Sequence, residues 1–234
     1  MTQKRILHLL NGQSMYDFFK STDFLGEELM IPFNEAMCYG DTCSNIFSDP
    51  FTQLRAKVHH VSSEQYIERT LKPLEPLLYG NFTGISLWFD ADMFCQINIL
   101  TILAWLDQTD YKGAIELHIV GDKFEPKDRF TLKAEGYYSI YKKVLIQKEM
   151  PKNVFPDPLK SGIELYLNYL QKDSDLIRYM KKYQDVSKEE LVTKLIVEFQ
   201  HYGLGDTQYL EIIKSYRGKS WGVPGTSQIE RRMK

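Results

Sequence analysis

The sequence predicts an α/β fold, a mostly parallel sheet flanked by helices, followed by an all-helical C-terminal domain. Three observations carry this prediction. Strand-like and helix-like segments alternate through residues 1–125, the pattern of a parallel sheet covered by crossover helices. Beyond Phe130 only helical periodicity remains, which assigns residues 126–234 to the helical domain. Between Ile85 and Gln96 an apolar run stops at Asp90 and Asp92, and a long apolar-periodic segment starts at once. That is the grammar of a buried strand delivering polar groups to its C-terminal end, followed by a helix.

The elements follow in order. Residues 5–10 (Arg-Ile-Leu-His-Leu-Leu) and 28–33 (Glu-Leu-Met-Ile-Pro-Phe) read as the first two strands. Residues 14–20 form a short helix, with Ser14 at its N-cap and Asp17 three residues on, close to a capping box. Helices are expected at 53–60 and 64–78, a third strand at 85–89, a helix at 93–106 and a fourth strand at 114–120. The helical half comprises 137–147, 158–170, 175–183, 187–202 and 207–216, with Ser187 and Glu190 forming a capping box and Asp206 an N-cap. Three prolines mark residues 151–158 as a candidate hinge, and residues 222–234 lack periodicity and are expected to fray.

Composition narrows the function classes. Hydrophobic content of 43% and charged content of 26% are those of a globular protein, and 15 Tyr with 13 Phe argue against disorder. No window reaches the ~18–20 apolar residues that a membrane span needs. The start, Met-Thr-Gln-Lys-Arg, has no signal-peptide core, so a cytoplasmic location is expected. Cys38, Cys43 and Cys95 cannot form a closed disulfide set, and a second short-spaced ligand pair for zinc is lacking. The net charge of −2 disfavours general nucleic-acid binding. It divides into −5 for residues 1–150 (15 Lys and Arg against 20 Asp and Glu) and +3 for residues 151–234 (14 against 11). No dinucleotide glycine fingerprint, phosphate-binding P-loop or nucleophile elbow is present.

Every predicted parallel strand leaves polar or glycine residues at its C-terminal end: Asn11, Gly12, Gln13 and Ser14; Asn34 and Glu35; Asp90 and Asp92; Gly121 and Asp122. In a parallel sheet those ends share one edge, where ligands of open α/β sheets bind. The helix beginnings near Ser14 and Met93 would aim backbone N–H groups into the same crevice. The bland readings are capping by Ser14 and Asp92, a tight turn at Asn11-Gly12, satisfied core histidines at His8 and His118, and a surface helix for His59 and His60.

Residues 4–125 also resemble a bacterial family known as domain of unknown function 1835. Its first element, close to His-Ile-x-Asn-Gly-Asp-Ser, is similar to His8-Leu-Leu-Asn11-Gly12-Gln13-Ser14. The second, Trp-Arg-Asp-x-Leu-x-x-Gly, is matched loosely by Phe33 to Gly40, with Arg55 where a family arginine commonly follows. The third, Leu-Trp-Phe-Glu-His-Asp-x-Phe-Asp-Gln, is matched well by Leu87 to Gln96. Departures are Gln13 for an Asp, Ala91 for the His and Cys95 for an Asp, which removes groups that acid–base chemistry uses. The resemblance retains Asn11, Ser14, Glu35, Arg55, Asp90, Asp92 and Gln96, and implies no established activity.

Two functions compete. In the first, Asn11, Gly12, Ser14, Glu35, Arg55, Asp90, Asp92 and Gln96 bind a small polar or phosphorylated ligand. Arg55 and the helix N-termini would meet its anionic part, and Glu35, Asp90 and Asp92 would accept hydroxyls or hold Mg²⁺. In the second, the chain is a regulatory or interaction protein working through its helical half. Residues 187–202 and 207–216 have helix-turn-helix proportions, with Lys214, Arg217 and Lys219 for phosphate. Glu211 on the second helix opposes that role. A homo-oligomer is compatible with either reading.

Overall fold

The computed structural model describes residues 5–218; Lys219 and the tail expected to fray lie outside the described residues. Five strands form one sheet: β1 (Ile6–Leu10), β2 (Leu29–Pro32), β3 (Gly84–Asp90), β4 (Ala114–Val120) and β5 (Pro126–Leu132). Their order is β2-β1-β3-β4-β5, parallel except for the antiparallel β4–β5 pair. The predicted fold class is what the structure shows.

β5 falls where only helices were expected. Its proline and its charges (Pro126, Lys127, Asp128, Arg129) mask the strand pattern, yet they suit an edge strand, where unpaired backbone must be protected. The segment 64–78, expected as one helix, is α3 (Ser63–Tyr66), a π-helical turn (Ile67–Leu71), a 3₁₀ turn (Lys72–Leu74) and α4 (Glu75–Tyr79). Pro73 and Pro76 withhold the N–H groups that a continuous helix would need.

Side chains alternate across the sheet. Leu10, Trp88 and Val120 face α1 (Gly12–Thr22), which packs Met15 and Phe19 against them. Leu9, Leu87, Phe89, Leu117 and Ile119 face the larger core. The centre of that core is α5 (Met93–Gln108), apolar on all sides and buried over most of its length, as a helix enclosed between a sheet and other helices must be.

α5 is covered by α6 (Tyr137–Tyr141) and α7 (Asp157–Tyr169), followed by α8 (Asp175–Lys182), α9 (Lys188–Glu198) and α10 (Asp206–Arg217). A single apolar cluster runs from Leu7 to Ile213, so the helical half shares the core of the α/β half. The segment proposed as a hinge is anchored to it. Pro151 and Pro156 are buried, and Tyr137 donates to the Phe155 carbonyl at 2.6 Å. In α10, Arg217 donates to the carbonyls of Gln184 and Val186, and Glu211 accepts from Tyr39 at 2.8 Å. Two charged groups of the would-be recognition helix are thus committed within the chain.

Candidate functional site

β1 and β3 lie side by side, but the chain leaves them in opposite directions. β1 passes through α1 to β2, whereas β3 passes through α5 to β4 on the other face. This is a topological switch point, the place in an open sheet where a crevice opens outside the strand ends.

The residues bridging the switch form one network. The Asn11 amide donates to Asp90 Oδ2 at 3.0 Å and approaches Cys95 Sγ at 2.9 Å. Asn11 holds the N-cap position of α1, yet its side chain is drawn to β3, so the first turn of α1 has no side-chain cap. Gly12 follows at φ +78°, a left-handed turn that glycine makes without strain. Asp92 caps α5, accepting from the Cys95 amide at 2.8 Å, and Gln96 donates to the Asp90 carbonyl at 2.7 Å.

The helical half closes directly over this network. A Cβ on Gly162 would come within 2.4 Å of Gln96 Cβ, and one on Gly203 within 2.4 Å of Asp92 Oδ1. Burial pushes the Asp92 carboxyl up to about 6, against the opposing hydrogen bond from Cys95. Burial also raises Asp90, with the Asn11 hydrogen bond opposing. Because the folded state binds the Asp92 proton more tightly than the unfolded chain, its contribution to stability is lost as pH rises from about 4 to 6. Asp92→Asn keeps a good N-cap, so it is expected to remove that pH dependence and add ~1–3 kcal/mol at pH 7 in urea unfolding. Equal stability of the two proteins across pH 4–7 would contradict this assignment.

A second network lies beneath the end of β2. Glu35 is fully buried and accepts from Arg55 at 2.8 Å, from His59 Nε2 at 2.6 Å, from Tyr66, and from the Ala36 amide at 2.7 Å. Arg55 also donates to the carbonyls of Ala36, Tyr39 and Asp41 at 2.9, 2.7 and 3.0 Å. Asn98 on α5 fixes the loop by donating to the Glu35 carbonyl and accepting from the Met37 amide. Burial alone would raise the Glu35 carboxyl, but the Arg55 charge and the His59 hydrogen bond outweigh it and hold it well below the usual carboxylate range.

Between the two networks lies a crevice of about 350 Å³ lined by Asn11, Gly12, Phe33, Asn34, Glu35, Ala36, His59 and Phe94. His59 is the titratable side chain presented there, 31% exposed and stacked on Tyr66 with ring centroids 6.0 Å apart. The hydrogen bond between Nε2 and the Glu35 carboxylate fixes the orientation of the ring at the crevice.

The structure therefore distributes the expected residues. Asn11 and Gly12 line the crevice, and Glu35 lies in its wall. Asp90 touches Asn11 behind it. Asp92 and Gln96 are covered by the helical half. Arg55, expected to meet an anion, is enclosed with its guanidinium turned to Glu35 and three carbonyls. Ser14 is not the N-cap; it sits exposed in the first turn of α1 and outside the crevice lining. His59, Asn34 and Phe94 were not among the expected site residues. One signal for His59 was present: it stands four residues after Arg55, on the same face at the end of α2 (Asp49–Val58).

Magnesium is poorly served. Among the described residues, Asp90, Asp92 and Cys95 place ligand atoms within 4.8 Å of one another. Burial, reinforced by Asp92 and Asp90, keeps the Cys95 thiol protonated, whereas Mg²⁺ wants an octahedron of oxygens. Glu35, the third acid expected to join them, is committed to the other network.

Fold and site together define an open, mostly parallel α/β protein with a switch-point crevice. No protein-family model matches the chain, and neither the curated proteins nor the solved structures contain a significant match to it.

Proposed function

We propose that the protein binds a small polar or phosphorylated molecule in the switch-point crevice, with His59 exchanging a proton with it. The carrying observation is the buried, ionised Glu35 holding a partly exposed histidine at the lip of a cavity. A surface histidine has no need of such support, whereas a proton-accepting one gains a set tautomer and orientation from it. The uncapped first turn of α1 beside Gly12 supplies backbone N–H groups for an anionic or hydroxyl-bearing part.

The three elements that resemble domain of unknown function 1835 contribute Asn11, Glu35 and Asp90 to one sheet edge. That supports reading the chain as a diverged member whose remaining polar groups still bind. The helical half then serves as the cover that encloses Asp92 and Gln96.

The test is a thermal-shift screen with sugars, sugar phosphates, nucleosides, nucleotides and amino acids, on wild type and His59→Gln. A ligand at ~100 times its Kd adds ~2.7 kcal/mol of apparent stability. A stabilising compound whose effect falls at least ~10-fold in affinity in His59→Gln supports the reading. Equal binding by both proteins removes His59 from the site.

A further inference from the structure

The crevice does not end at His59. A second chamber of about 600 Å³ is lined by Gln13, Tyr66, Glu68, Arg69 and Thr70 among others, and it shares His59 and Asn34 with the first. The two spaces therefore meet at His59, which Glu35 holds together with Tyr66.

The π-helical turn Ile67–Leu71 builds the outer wall, with the Lys72 amide bonding back to the Ile67 carbonyl. Such turns frequently occur at functional sites. The Thr70 hydroxyl donates to the Asn34 carbonyl at 3.0 Å, tying this wall to the end of β2.

The charged side chains lining the chamber differ in their pairing. Glu68 is paired with Lys72 at 2.6 Å, and His59 with Glu35 at 2.6 Å. Arg69 lines the chamber, is exposed and makes no ion pair among the described residues, so its guanidinium is uncompensated. A planar fork of N–H donors of this kind recognises phosphate bidentately.

We propose that the outer chamber is an anion subsite: the bound molecule carries a phosphate at the end remote from His59, and Arg69 holds it. This rests on the reading of the crevice given above, but it has its own test. Ribose 5-phosphate against ribose, AMP against adenosine, and inorganic phosphate alone would be titrated into wild type, Arg69→Ala and His59→Gln while following backbone amide NMR shifts.

The expected result is that the phosphorylated member of a pair binds at least ~10-fold tighter, that inorganic phosphate shifts the amides of Arg69 and Thr70, and that Arg69→Ala abolishes both effects. Arg69 is exposed, so its loss is not expected to unfold the protein. Equal binding of both members of each pair overturns the subsite, as does binding unchanged in Arg69→Ala or the absence of any phosphate-dependent shift. If unphosphorylated ligands still bind and lose affinity in His59→Gln, the crevice reading stands and the anion subsite alone fails.

Discussion

Arg55→Ala is expected to destabilise the protein by about 3–5 kcal/mol, the cost of breaking a buried ion pair by removing one partner. The variant would leave the Glu35 carboxylate without its cation and deprive the carbonyls of Ala36, Tyr39 and Asp41 of a donor. Against a typical total of ~5–15 kcal/mol that is a large fraction. Arg55→Lys should retain most of the loss, because a point cation cannot serve four acceptors arranged around a planar fork.

The pH dependence follows from the same pair. The folded state holds the Glu35 carboxyl far below its ordinary value of 4.5, so its contribution is complete above that pH and is lost as pH falls into the acid range. Arg55→Ala should flatten that acid limb. Urea unfolding at pH 7 and at pH 3 measures both effects, and an unfolding free energy within about 1 kcal/mol of wild type at pH 7 would refute the assignment.

The second large effect is expected at Gly203→Ala. This residue has φ +65°, where an alanine costs ~1–2 kcal/mol, and its Cβ would lie 2.4 Å from Asp92 Oδ1 and Cγ, adding ~1–3 kcal/mol of overpacking. The combined loss of ~2–5 kcal/mol should not be additive with a change at Asp92. In an Asp92→Ala background the steric part disappears and only the backbone part remains. Identical costs in the two backgrounds would show that the 200–205 turn does not rest on Asp92.

The strands were legible because β1, β3 and β4 are apolar runs of the right length, and polar residues mark where each one ends. The helices of the second half were legible from their period and from caps such as Ser187, which accepts from the Glu190 amide at 3.1 Å. β5 was not, because an edge strand carries the charges and proline that in a sequence signal a loop. Ser14 was misplaced as a cap because Gly12 starts the helix two residues earlier, and only the pull of Asp90 explains why Asn11 does not cap it.

The site divides along the same line. Local order in the chain determined that Asn11, Glu35 and Asp90 would stand at one edge, since alternating strands and helices bring parallel strand ends together whatever the details. Which of those groups faces a ligand was decided only by tertiary structure. Arg55 and Glu35 neutralise one another out of water, Gly162 and Gly203 bring the helical half down on Gln96 and Asp92, and His59 is left at the lip. A charged group is free to bind only where packing leaves it unpaired, and packing is set by residues distant in the chain, as Gly203 is from the Asp92 it covers.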